Sequence, residues 1–171
     1  MNVHLLLLTA VLFGCTTVTV QAATTGAFTV EGLIQNSTCD LAAGDVNRTV
    51  TLDPIPAAYF DKEQSSPRTY FDLTANCGTG IKNVAFAFSG EPAKEDTWRF
   101  ANTGTAKGIA LLLMSNIQGE STIRANGSDS VRTMPVVNGI ALLPLAAAYW
   151  KLSAVGPGDL KSRVVVNITY N

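Results

Sequence analysis

The chain has 171 residues, with 12 Lys and Arg against 13 Asp and Glu, a net charge of −1, and charged residues at only 15%. That length carries one domain, and without a basic run or patch it fits neither nucleic-acid binding nor anionic-membrane binding. A charged fraction well below the usual ~25%, in a chain rich in Val, Ala and Thr, implies that much surface is buried or passed to partners.

The first 22 residues read as an export signal. Leu5 to Leu8 open an apolar run that continues through Val11, Leu12 and Phe13, too short for the ~20 apolar residues that span a bilayer. Val20-Gln21-Ala22 supplies small residues at −3 and −1, which places cleavage between Ala22 and Ala23. Met1-Asn2-Val3-His4 has no Lys or Arg, so the start codon stays open. Leu12-Phe13-Gly14-Cys15 resembles a lipoprotein box, with Phe13 where a small residue is usual, so lipidation of Cys15 is a minor alternative. Once the signal is removed only Cys39 and Cys77 remain, and two cysteines in an exported chain are best paired.

After the signal comes a series of short β runs separated by turn residues, with no sustained helical period. Residues 27–35 alternate, with Phe28, Val30, Gly32 and Ile34 on one face. Residues 49–52 form a second run, which Asp53-Pro54-Ile55-Pro56 ends because proline cannot donate to a ladder. Residues 69–73 lead into Cys77, residues 84–88 are a strand, and residues 91–105 read as an irregular loop. A core strand is expected over 109–114, with turns at Asn126-Gly127 and Asn138-Gly139. Residues 140–152 contain Pro144 and read as a strand with an irregular start. Gly156-Pro157-Gly158-Asp159 turns the chain into a last alternating strand over 163–170. Six to eight strands at this spacing predict an all-β, immunoglobulin-like sandwich. Equally regular strands at the two ends suggest that the N-terminal one is meant for another molecule.

Enzymatic chemistry finds little support. The one histidine, His4, lies in the signal, and paired cysteines cannot act as thiolates. The carboxylate pairs Asp61/Glu63 and Glu95/Asp96 sit in polar loop sequence and read as solvated. Nothing in the sequence calls for a cofactor or metal. Trp98 and Trp150 read as core or rim residues and are assigned no ligand.

Three features resemble the chaperone–usher pilin family over essentially the whole chain after the signal. Phe28-Thr29-Val30-Glu31-Gly32-Leu33-Ile34 before Cys39 looks like a pilin's N-terminal extension. Val84-Ala85-Phe86-Ala87-Phe88-Ser89-Gly90 after Cys77 is similar to the family's strand ending in Phe-x-Gly. Tyr170 as the penultimate residue, with Gly158 upstream, resembles the family's chaperone-recognition tail.

The resemblance implies an incomplete sandwich of six own strands whose seventh is supplied in trans, a form of strand addition known in pilins as donor-strand complementation. It divides the chain into a signal (1–22), a donor-strand extension (23–33) and a pilin domain (34–171). Within it, Phe28 and Val30 would fill a neighbour's groove, with Gly32 over its shallowest point. Val164, Val166, Ile168 and Tyr170 would form the receiving strand, Gly158 would belong to the same signature, and the Asn171 carboxylate would anchor a basic chaperone residue. Implied partners are a periplasmic pilus chaperone, an outer-membrane usher and neighbouring pilin subunits. The implied destination is a cell-surface fimbrium reached through the periplasm, with the chain as a minor or adaptor subunit involved in adhesion. The alternatives are a self-contained secreted immunoglobulin-like binding module and a glycan-binding adhesin.

Overall fold

The computed structural model describes Glu31 and residues 37–171. Over them the chain forms β1 (Cys39–Leu41), a 3-10 turn (Ala57–Asp61), β2 (Thr69–Cys77), β3 (Asn83–Gly90), β4 (Lys107–Asn116), β5 (Glu120–Thr122), β6 (Val131–Pro135), β7 (Ile140–Gly156) and β8 (Val164–Tyr170). These strands make two antiparallel sheets, ordered β1-β2-β7-β4-β5 and β6-β3-β8. The all-β sandwich expected from the sequence is what forms. β1 and β5, of three residues each, are additions to its longer strands.

Alternation with period 2 decides which side chains go inside. Val84, Phe86 and Phe88 of β3 meet Leu73 and Ala75 of β2, Leu113 of β4, and Leu143 and Leu145 of β7 across the inter-sheet space. β7 is the long central strand, paired with β2 over 140–147 and with β4 from Leu145 to Gly156. Pro144 is tolerated there for a local reason. The β4 ladder stops at Ser115↔Leu145, so the missing N–H falls just where that edge has lost its partner. The strand therefore starts regularly at Ile140 and continues to Gly156, beyond the expected end at Leu152.

Chain reversals obey the turn chemistry. Asn138 (φ 52°) and Gly139 (φ 78°) both adopt positive φ, the requirement of a type I′ turn. One expectation fails: residues 49–52 run without a ladder partner among the described residues. Thr49, Val50 and Leu52 instead line an open groove, so no described strand lies where their ladder would form. The alternating segment at 27–35 lies outside the described residues, apart from Glu31.

Cys39 and Cys77 stand directly opposite in the β1–β2 register and are disulfide-bonded. At a sequence separation of 38, closure restricts the unfolded chain by ~4 kcal/mol in the chain-entropy account. Replacing both with Ser is expected to lower the unfolding free energy by ~2–5 kcal/mol, seen as a lower urea midpoint. Unchanged midpoints would mean that β1 holds its place without the bond.

Candidate functional site

Among the described strands β8 lies at a sheet edge. It pairs with β3 from Gly90↔Val164 to Val84↔Tyr170, and no described strand pairs with its other side. Val164, Val166 and Ile168 face the core yet are only partly buried, while Val165 on the outer face is 42% exposed. Tyr170 keeps the inward phase of this alternation but lies at the open end and is also 42% exposed.

Opposite β8 lies a second lip built from Leu41 and residues 45–52. Its attachment to β2 is made largely by side chains. Beyond the β1 ladder, the Ala42 N–H donates to Thr74 O (2.8 Å), and the Thr74 N–H donates to Asp45 Oδ2 (2.8 Å). Arg48 donates to Asp72 O (2.6 Å) and to Asp45 Oδ1 (2.9 Å), with its guanidinium 5.5 Å from the centroid of the Phe71 ring. Between the lips is a cavity of about 670 Å³. Phe71, Leu73, Leu111, Leu113, Leu145 and Phe88 are among its lining residues. An apolar floor beside an unpaired strand edge can accept both the ladder bonds and the alternate side chains of an added strand.

The start of β8 is fixed by a clasp within the segment expected to be irregular loop. Asn102 Oδ1 accepts from the N–H groups of Gly104 (2.7 Å) and Lys161 (2.8 Å), and its Nδ2 donates to Ala106 O (2.9 Å). Thr103 N–H donates to Lys161 O (2.7 Å), Asp159 N–H to Thr105 Oγ1 (2.9 Å), and Ser162 Oγ to Ala101 O (2.6 Å). The signal for it is present in the sequence as three small polar residues, Asn102, Thr103 and Thr105, whose side chains bond readily to nearby backbone. Their partners across the clasp lie more than fifty residues away, so spacing alone could not find them.

Gly158 belongs to this clasp. Its φ is +147°, and a Cβ there would run into Ala106 N and stand 2.7 Å from Thr105 Oγ1. Gly90 has a similar part at the facing end of β3, where a Cβ would meet Phe100 Cδ1 at 2.7 Å and Arg163 O at 2.8 Å. At the far end of β8, Asn171 O accepts from the N–H groups of Lys82 (2.8 Å) and Asn83 (3.3 Å). Of the residues singled out in the sequence, Val164 and Val166 line the groove, Ile168 continues their face, and Gly158 shapes the approach. Phe28, Val30, Gly32, Ala22 and Ala23 lie outside the described residues.

A second cluster covers the outer face of the larger sheet. Trp150 packs on Leu112, Met114, Ala146 and Ala148. Arg99, 7% exposed, lies 4.0 Å from the Trp150 ring centroid, while Arg124 lies 3.7 Å from that of Trp98. Burial pushes the Arg99 guanidinium below its ordinary pKa; Asp96 opposes this and Arg124 adds to it. Both tryptophans thus carry stacked guanidiniums; Trp98, 44% exposed, lies at the rim, and Trp150 is half-buried on the sheet's outer face rather than in the main core.

No protein-family model matches the chain. In sequence it is 30% identical over 171 residues to the S-fimbrial adhesin protein SfaS of Escherichia coli, covering 99% of both chains. In fold it is similar to the P pilus rod subunit PapA, with TM-score 0.64 and 20% identity over 78% of this chain and 99% of that one. A chaperone–usher pilus structure gives TM-score 0.63 at 16% identity, over 86% of this chain and 96% of the other. A type I fimbria protein of Burkholderia pseudomallei gives 0.56 at 19% identity, over 79% and 100%.

The contacts at Gly158 carry a prediction. Gly158→Ala is expected to cost ~1–3 kcal/mol through the strained φ and the blocked approach, measured as a lower denaturant midpoint with the slope unchanged. A wild-type midpoint would show that the clasp yields without cost.

Proposed function

Because the chain belongs to the fimbrial subunits of the chaperone–usher type, we propose that it polymerises by donor-strand exchange, as a minor or adaptor subunit involved in cell adhesion. It is a structural subunit of a cell-surface fimbrium that assembles with other pilin subunits, and it is not an enzyme. The observation that carries the finer reading is the apolar groove beside β8, a strand that among the described residues is hydrogen-bonded on one side only. In this reading the groove is the acceptor, and the seventh strand comes from a periplasmic chaperone before it comes from the neighbouring subunit.

The parts divide accordingly. Residues 1–22 are the export signal, cleaved between Ala22 and Ala23, residues 23–33 the donor extension, and residues 34–171 the acceptor domain. Phe28 and Val30 fill the next groove and Gly32 crosses its shallow point. Val164, Val166, Ile168 and Tyr170 receive the donor, and the Asn171 carboxylate meets the chaperone. The outer-membrane usher is where one strand replaces the other. The adhesin name of the Escherichia coli relative supports a minor position over that of a rod subunit.

Physical chemistry favours the exchange. An added strand contributes ladder hydrogen bonds and buries alternate side chains at ~1.5–3 kcal/mol each. Because the acceptor core is incomplete without it, folding and binding are coupled and the polymer dissociates slowly. The same logic accounts for residues 49–52, which have extended β composition but no ladder partner. The inserted strand would run between them and β8.

The test is periplasmic co-expression with a matching pilus chaperone, comparing the full chain with one lacking residues 24–33. The full chain is expected to form SDS-resistant ladders, and the truncation to remain a soluble chaperone complex. If both fold alone as identical monomers, the chain is a self-contained binding module instead. Hydrogen exchange checks the acceptor separately. On assembly the amides of residues 49–52 and 164–170 should slow together by at least ~100-fold, as expected of groups moved from open edges into a paired sheet.

A further inference from the structure

We infer that the groove selects for an acidic donor strand, and that residues 23–33 of a second copy of this chain meet that requirement through Glu31. The inference rests on the donor-strand reading and adds to it the charge of the partner.

The two lips of the groove are unevenly charged. Asp45 is the only carboxylate among the described lining residues, and it is already engaged by Arg48 at 2.9 Å and by the Thr74 N–H at 2.8 Å. On the facing lip, Lys161 and Arg163 are exposed and form no ion pair among the described residues. Only the main chain of Lys161 takes part in the clasp; its ammonium makes no hydrogen bond among the described residues. This excess of cations stands out in a chain whose net charge is −1. A strand laid in the groove turns alternate side chains inward and the others outward to the rim, where the outward ones meet these cations.

The extension has a single ionisable side chain to offer. Among residues 23–33 that is Glu31, eight positions from the Ala23 terminus, and its phase in the alternation is opposite to that of Phe28, Val30 and Gly32. With the apolar set inward, the carboxylate faces the rim. Lys161 and Arg163 precede β8, and Glu31 lies near the end of the extension, so this pairing sets the donor antiparallel to β8. Rim charges act mainly on association rate and on the rejection of wrong partners, and their effect falls with salt.

The experiment uses the full chain, refolded by dilution into excess peptide, with three probes: residues 23–33 as they stand, the same peptide with Glu31→Gln, and the same with Glu31→Lys. At low ionic strength the Glu peptide should associate roughly 3- to 10-fold faster than the Lys peptide, with Gln between them. That spread should collapse at about 0.5 M salt and in the Lys161→Gln/Arg163→Gln protein, both changes being at exposed side chains. An Arg163→Glu protein should reverse the order. Equal rates for all three peptides would overturn the charge requirement while leaving the groove an acceptor. A faster Lys peptide would also overturn it, and would point to a basic strand, such as a chaperone's, as the matched occupant. If no peptide binds the chain as it refolds, the donor-strand reading fails and this inference fails with it.

Discussion

Among the described strands β8 is hydrogen-bonded to β3 alone, while Val164, Val166 and Ile168 on its inner face still belong to the core. A strand in that position leaves two demands unmet: one row of ladder groups and one row of half-buried apolar side chains. Either is ordinary at a sheet edge, but their coincidence along one groove is not, since exposed apolar edges are template sites for other chains. The rest of the molecule is organised around holding this groove open between two fixed lips.

Each lip is anchored to its own sheet. On one side the short β1 is locked to β2 by the Cys39–Cys77 bond, and Asp45 and Arg48 then carry residues 45–48 along the β2 edge. On the other side the clasp from Asn102, Thr103 and Thr105 seizes residues 159–162 before β8 begins. Glycine is needed there because backbone meets backbone: any side chain at Gly158 would enter the space of Ala106. With both lips tied back to their own sheets, the described residues leave the groove open between them, and in the proposed reading an added strand fills it.

The outer face of the larger sheet solves a different problem. Small residues, Ala146 and Ala148, leave shallow ground that Trp150 and the stacked Arg99 cover. Loss of water is costly for a buried guanidinium, which is why its ionisation is pushed down. The aromatic face and the Asp96 carboxylate 3.7 Å away offset part of that cost. A chain with few charged residues thus uses several of them as apolar cover through their long stems.

Strand identity was largely legible from residue order, because period-2 alternation and turn chemistry are local. The runs at 69–73, 84–88, 109–114 and 163–170, the Asn138-Gly139 turn and the pairing of Cys39 with Cys77 all follow from residues close together or from the count of cysteines. Residues 49–52 show the limit of that logic: their composition suits a strand, but a strand needs a neighbour, and the sheet order puts the groove there. Pro144 shows it again, since its tolerance depends on where β4 leaves β7. The clasp, the cover of stacked guanidiniums and the uneven charge of the groove rim join residues about twenty to more than one hundred positions apart. The sequence by itself determined which segments extend and which face of each is apolar. Only the tertiary structure decided which edges meet and which stay open, because pairing partners are set by the packing of the whole sandwich and not by any window of the chain.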